Sequence, residues 1–168
     1  MNTIHTIGYE GAVIDDLIAT LQMAEVEVLI DVRDVPVSRK RGFSKKALAE
    51  ALETAGIRYV HLKALGDPKP GREAAKRGDM DGFRAIFNSH LKGDDAQEAL
   101  HVAIDISSKT PACLLCYERD HMGCHRTIVA KELADRKAFS VRHLGVREGL
   151  AKKARQNEFL EDRVAAFG

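Results

Sequence analysis

Two cysteines, two histidines and several charged side chains lie close together in residues 116–126. Thiol, imidazole and carboxyl groups in such a cluster can perform nucleophilic or general acid–base chemistry. The candidates for this chemistry are Cys116, Glu118, Cys124 and His125. Arg126 adds a cation that could stabilise negative charge on a substrate or a transition state. This segment is therefore the first candidate for a functional site.

The two cysteines of the segment have different predicted surroundings. Cys124 follows Gly123 and precedes a helical pattern, so we expect its thiol at a helix N-terminus, where free amide groups favour the thiolate. Cys116 ends an apolar run, and strand alternation places it on one side with Glu118. A carboxylate opposes ionisation of a neighbouring thiol, so Glu118 is expected to orient a cation instead. Which thiol reacts stays open, as does an architectural role for either.

Cysteine number and spacing bear on disulfides and metals. Three cysteines, an odd number, argue against a disulfide framework and favour reduced thiols. Cys113 lies inside the apolar run and is expected to be inert packing. Cys116, His121, Cys124 and His125 are suitable zinc ligands by atom type, but the cysteines are too far apart for a zinc knuckle. We therefore predict neither a metal nor an organic cofactor, and retain a structural zinc cluster as an alternative.

A second polar region begins at Arg33, where a strand is expected to end. Pro36 stiffens the following turn, which continues into a basic patch. Such a patch can recruit a phosphate-bearing molecule or can simply be a solvated surface. An aromatic residue after the first strand could stack on a ring or donate a hydrogen bond. The predicted substrate-binding residues are Arg33, Arg126, Tyr9, Ser38 and Arg39.

Alternating strand and helix patterns surround these motifs. Strand patterns cover residues 3–9, 26–33, 57–62, 112–116 and 139–143. Helical spacing covers residues 13–24, 45–55, 80–91 and 96–107, and begins again near residues 124 and 146. We predict a three-layer, doubly wound α/β fold with a mostly parallel sheet of about five strands and helices on both faces. The loops 8–11, 33–42, 64–72 and 116–126 all follow strands, so they should meet at one edge of the sheet.

Length and charge narrow the function classes. A chain of 168 residues is expected to form a single domain, residues 1–168. Lys and Arg total 26 against 25 for Asp and Glu, which gives no global reason to expect nucleic acid or an acidic membrane as a partner. The absence of a long apolar run and of a leader pattern predicts a cytoplasmic protein. No sequence feature indicates the oligomeric state.

Several motifs resemble one known family. Gly8-Tyr9, the run from Asp31 to Ser38, Leu65-Gly66, the run from Leu114 to Glu118, and Cys124-His125-Arg126 occur in the order typical of the domain of unknown function 488 family. The resemblance covers roughly residues 3–145. It implies that these residues form a shared polar site. It implies no activity, because the family's name records none.

Two functional hypotheses follow from these residues. The favoured one is a thiol-dependent transferase or hydrolase that binds a small anionic or nucleotide-like substrate. The spacing after either cysteine lacks the arginine that closes the anion loop of rhodanese-like sulfurtransferases and thiol phosphatases. The alternative is a nucleic-acid-binding module that uses Arg39, Lys40 and Arg41, with the Cys/His cluster as scaffold. The net charge is close to neutral, and the chain has six Phe, three Tyr and no Trp. Both features favour the enzyme over the nucleic-acid-binding module.

Overall fold

The computed structural model describes residues 2–167, with side chains described for residues 2–165. Five parallel strands form one sheet in the order β3-β2-β4-β1-β5. The strands are β1 (Thr3–Gly8), β2 (Val28–Asp31), β3 (Arg58–His61), β4 (Ala112–Cys116) and β5 (Ser140–Leu144). The helices are α1 (Ile14–Met23), α2 (Lys45–Thr54), α3 (Lys69–Lys76), α4 (Met80–Leu91), α5 (Asp94–Lys109), α6 (His125–Lys137) and α7 (Leu150–Phe167). Short 3-10 helices span Lys63–Leu65 and His121–Gly123.

Helices cover both faces of the sheet, which confirms the predicted three-layer α/β fold. One core lies between the sheet and α3 to α6 and includes Ile30, Leu114 and Phe87. The other lies between the sheet and helices α1 and α2, and includes Leu29 and Leu115. No helix within residues 2–167 is both long and apolar enough to cross a membrane.

Strand alternation decides which way the end of β4 points. Consecutive strand residues face opposite sides of a sheet. Leu114 belongs to the core on the α6 side and Leu115 to the opposite core, so Cys116 lies on the α6 side. The Cys116 side chain, at the end of β4, is therefore directed towards helix α6, which begins with His125.

Helix α3 (Lys69–Lys76) was not predicted, since residues 64–72 were expected to be a loop that follows a strand. In the structure Pro68 is the N-cap and Pro70 lies in the first helical turn. A proline there costs little, since the amide groups of the first turn have no partner within the helix. The extra helix turns the 64–72 loop into one wall of the site described below.

Ser44 precedes α2 as predicted, but its hydroxyl does not cap the helix. It accepts a hydrogen bond from the amide of Ser38 (3.0 Å) and lies 3.1 Å from the carbonyl oxygen of Ser38, to which it donates. These two bonds close the basic loop 38–44 on itself. The loop therefore has a defined shape at the edge of the sheet.

Gly8 ends β1 where the loop after β4 crosses it. A Cβ at Gly8 would overlap the carbonyl oxygen of Glu118, whereas a Cβ at Gly145, just after β5, would meet nothing within 4 Å. We expect Gly8→Ala to lower the free energy of unfolding by about 2 kcal/mol, because relief of this overlap displaces the loop. Gly145→Ala should change it by less than about 0.5 kcal/mol. Urea unfolding followed by circular dichroism measures both, and equal stabilities would contradict the expectation.

Candidate functional site

A cleft of about 610 Å³ lies at the carboxyl edge of the sheet. All four loops that follow β1, β2, β3 and β4 contribute to its walls, together with helix α3. Seven of the nine predicted site residues line it: Tyr9, Arg33, Ser38, Arg39, Cys116, Glu118 and His125. Cys124 and Arg126 are buried next to it and do not line it. The cleft is thus the place where the sequence motifs converge.

Cys116 and Cys124 form a disulfide in the structure, which makes the prediction of three free thiols wrong for this pair. The 3-10 helix His121–Gly123 folds the loop back, so that the start of α6 lies beside the end of β4. The Cα atoms are 7.5 Å apart. This exceeds the separation of about 4.4–6.8 Å usual for disulfides and leaves room for two reduced side chains as well. Cys113 is free and buried, and burial raises its pKa.

Cys124 occupies the helix N-terminus, where the sequence pattern placed it. It is the N-cap of α6, and its sulfur accepts a bond from the amide of Arg126 at 3.5 Å. His125 follows directly, and its Nε2 lies 2.6 Å from the carbonyl oxygen of Val32. A carbonyl only accepts, so Nε2 carries the proton and Nδ1 is unprotonated, 3.7 Å from the Cys124 sulfur. Burial lowers the pKa of His125 to about 4, so the ring is neutral at pH 7.

Arg126 is fully buried and points inward from α6. One terminal nitrogen lies 3.0 Å from the Cys116 sulfur and also donates to the carbonyl oxygen of Glu118. Its Nε donates to the Thr6 hydroxyl at 3.2 Å. Burial lowers the pKa of Arg126, because the charged guanidinium is disfavoured away from water. A negative charge nearby would stabilise the charged form. The reduced Cys116 can supply that charge as a thiolate.

Glu118 has two roles, divided between its main chain and its side chain. Its carbonyl oxygen, and not its carboxylate, holds Arg126. One carboxylate oxygen lies 3.2 Å from the Cys116 sulfur. Burial raises the pKa of this carboxyl, partly opposed by the charge of Arg126. A protonated Glu118 can therefore donate to a Cys116 thiolate, whereas an ionised Glu118 would repel it.

Arg33 lines the cleft, but four of its five guanidinium donors are already used. Its guanidinium and amide donate to the carboxylate of Asp31, and one terminal nitrogen donates to the carbonyl oxygen of Phe43 at 2.6 Å. Burial disfavours the charge of Arg33, but the bonds and charge of Asp31 outweigh it and raise its pKa. The Tyr9 hydroxyl accepts a further bond from Arg33 at 3.3 Å. Arg33 and Tyr9 thus build the cleft wall as one buried network.

The rings and cations that are open to the cleft include residues that the sequence analysis did not select. Tyr117 lines the cleft and is 49% exposed. Arg72 and Lys76 line the opposite wall from α3. Arg72 and Lys76 are four residues apart, so the sequence would have placed them on one face of a helix if α3 had been predicted. Asp67, at the start of the same wall, is 7% exposed and had no sequence signal of its own.

Three ligand atoms in this region could hold a metal ion. The sulfurs of Cys116 and Cys124 and a ring nitrogen of His125 lie within 4.8 Å of one another. The bond from His125 to the Val32 carbonyl resembles the outer-shell bonds of metal-binding histidines. His121, the fourth predicted ligand, instead stacks on His143 with ring centroids 3.7 Å apart. The donor set suits zinc once the disulfide is reduced, but the cation of Arg126 at the Cys116 sulfur opposes it.

Comparison with known proteins gives one match. The family model described as "Domain of unknown function DUF488" matches residues 13–133. No curated protein and no solved structure matches the chain. The matched region includes both cysteines of the disulfide and the wall formed by α3, whereas Tyr9 precedes it.

Proposed function

The chain belongs to the DUF488 family, and from its cleft we propose a thiol-dependent transferase or hydrolase that binds a small anionic or nucleotide-like substrate. One observation carries the proposal: Cys116 lines the cleft, and its sulfur lies 3.0 Å from the guanidinium of the fully buried Arg126. A cation this close favours the thiolate, which is the nucleophilic form of cysteine. Cys116 is therefore the proposed nucleophile.

Cys124 is proposed as the partner of Cys116 and not as the attacking group. Its sulfur is buried behind the cleft, where the unprotonated Nδ1 of the neutral His125 can accept a bond from a thiol. The low basicity of this ring keeps the proton on Cys124. Cys116 lines the cleft and its sulfur contacts the Arg126 guanidinium, whereas Cys124 does not line the cleft. The disulfide between them removes the nucleophile, so activity requires a dithiol reductant.

The substrate class is proposed from the other cleft walls. Arg39 and Lys76 are exposed cations on opposite sides of the cleft, and neither is held by an ion pair within residues 2–165. They can bind phosphate or carboxylate groups. The half-exposed ring of Tyr117 offers a face on which a planar group can stack. This combination suits a small anion that carries a ring.

Alkylation of the reduced protein by iodoacetamide tests the nucleophile. We expect Cys116 to react faster at pH 7 than free cysteine does, and faster than Cys113 or Cys124, as determined by mass spectrometry of peptides. Cys116→Ser should remove the fast reaction, while Cys113→Ser should retain it. Addition of adenosine monophosphate as a ring-bearing anionic probe should slow the reaction. A Cys116 that reacts no faster than free cysteine contradicts the proposal.

Substitution of Arg126 tests the origin of this reactivity. We expect Arg126→Met to slow alkylation of Cys116 at pH 7 about tenfold, because an opposite charge at hydrogen-bond distance favours ionisation by at least about this factor. Arg136→Met is the matched control, since Arg136 lies on the same helix but pairs with Glu132 at the surface. Its alkylation rate should equal that of the unsubstituted protein. Equal rates for both variants would show that Arg126 does not activate the thiol.

The second candidate function is a nucleic-acid-binding module with a structural zinc. The three-ligand cluster favours it, as do the exposed side chains of Arg39 and Arg41. It predicts that reduced protein binds one zinc ion, that zinc protects Cys116 from alkylation, and that binding of single-stranded RNA weakens steeply with salt. Metal analysis and a salt series with a labelled oligonucleotide measure these properties. Fast alkylation in the presence of zinc would exclude this candidate.

A further inference from the structure

We propose that Asp67 is the proton donor of the cleft. It transfers its proton to the group that leaves when Cys116 attacks the substrate, and it then accepts a proton from the water that releases the product. The inference rests on the proposed thiol chemistry and adds the acid–base partner that this chemistry lacks. Cys116 and Asp67 line the same cleft, Cys116 from the end of β4 and Asp67 from the turn before α3.

The contacts of Asp67 leave its carboxyl without a partner. Its Oδ1 is buried and has no hydrogen bond within the part of the chain whose side chains are described. The oxygen lies against Gly71 so closely that a Cβ there would overlap it. Arg72, whose charge acts on Asp67, donates to the main-chain carbonyl of Asp67 at 2.7 Å and not to its carboxyl. A buried carboxylate without donors is costly, so this environment favours the protonated acid.

Neighbouring charges act on the pKa of Asp67 in both directions, and burial has the largest effect. Burial raises its pKa most, Arg72 opposes the rise, and Glu118, when it is ionised, and Asp34 add to it, which gives a pKa of about 7. Arg72 is largely neutralised by its ion pair with Asp34 at 2.6 Å. A group with this pKa can both give and take a proton near neutral pH. By contrast, Arg72 and Lys63 outweigh the effect of burial on Asp34 and lower its pKa.

The proposed reaction balances without an oxidant or a reductant. The thiolate of Cys116 forms a bond to the electrophilic atom of the substrate, and the bond to the leaving group breaks. The leaving group keeps the bonding electron pair and takes the proton of Asp67. Water then attacks the same atom, Asp67 takes the proton of that water, and the electron pair of the sulfur bond returns to Cys116 as thiolate. The net change is hydrolysis of the substrate and regeneration of both residues.

Two ester probes separate proton donation from nucleophilic attack. 4-Nitrophenyl acetate has a leaving group that departs without a proton, whereas the leaving group of phenyl acetate benefits from one. We expect Asp67→Asn to slow acylation of the reduced protein, measured as phenol release in the first turnover, about 100-fold with phenyl acetate and by less than about threefold with 4-nitrophenyl acetate. Asp105→Asn is the control, since Asp105 lies at the surface of α5, pairs with Lys109 and does not line the cleft; it should change the ratio of the two rates by less than about threefold. Equal slowing of both esters by Asp67→Asn overturns the inference.

Two further measurements distinguish this inference from the proposed function. Iodoacetamide needs no proton donor, so Cys116 in Asp67→Asn should be alkylated at the unsubstituted rate. Slow alkylation of Cys116 in the unsubstituted protein overturns the proposed function itself. Carbon-13 NMR of labelled aspartate should show one carboxyl that titrates near neutral pH and is lost in Asp67→Asn. If Asp67 titrates in the ordinary range of aspartate, the inference is overturned, even where neither ester reacts.

Discussion

Replacement of Asp31 by alanine is expected to lower the free energy of unfolding by about 3–5 kcal/mol, because it leaves a buried cation without its counter-charge. Asp31 is 0% exposed, and its carboxylate accepts bonds from the amide and guanidinium of Arg33 and from the hydroxyl of Tyr59. Burial and the bond to Asp31 both raise the pKa of Tyr59. The carboxylate is therefore the centre of the network beneath the cleft.

Urea unfolding at pH 7 measures this loss against a neighbouring aspartate. Asp34→Ala removes a half-buried carboxylate that pairs with the exposed Lys63 and the partly exposed Arg72, and it should cost less than about 1 kcal/mol. The double variant Asp31→Leu, Arg33→Met removes both charges of the buried pair. It should be less destabilised than the sum of its two single variants. A cost of Asp31→Ala no greater than that of Asp34→Ala would disprove this role.

Stability is expected to fall by about 3 kcal/mol between pH 6.5 and pH 4 through His125 alone. Burial lowers the pKa of His125 from 6.5 to about 4 in the folded protein. In this pH range the unfolded chain therefore binds a proton that the folded protein does not bind. Acidification then favours unfolding, and the stability that neutral His125 provides is fully present only above the unfolded pKa.

Urea unfolding at pH 7, 6, 5 and 4 detects the effect as a difference between variants. His125→Gln should be less stable at pH 7, because it loses the fit of the ring, which makes an edge contact with Phe87 at 5.3 Å between centroids. Its stability should nevertheless depend less on pH than that of the unsubstituted protein. His101→Gln, at an exposed position of α5, should leave the pH dependence unchanged. Parallel curves for His125→Gln and the unsubstituted protein would contradict the buried, neutral ring.

Asp31 and His125 belong to one connected part of the structure. The Val32 carbonyl that accepts the bond of His125 lies between Asp31 and Arg33 in the chain. The buried ion pair and the neutral histidine thus hold the same strand end, from which the basic loop departs. Loss of either should weaken the cleft as well as the fold. Alkylation of Cys116 in both variants would report this effect at the site.

The sequence by itself determined the sheet, most of the helices and the position of the main polar cluster. Apolar periodicity is a local property, so it located β4 and α4 at the residues where the structure has them. It also placed Cys124 at the start of a helix, because a glycine and a helical pattern flank it. The carboxyl ends of parallel strands share one edge for geometric reasons, which predicted that the strand-end loops would meet.

Only the tertiary structure decided what each side chain does at that edge. The disulfide, the inward direction of Arg126 and the use of Arg33 by Asp31 all depend on contacts between separate elements or on how side chains pack. Helix α3 forms despite its prolines, and it brings Asp67 and Arg72 to the cleft. Burial and neighbouring charge set the proton affinity of Asp67 and His125, and neither is encoded in local spacing. The sequence therefore shows which reactive residues are present, and the packing of distant segments determines what each of them can do.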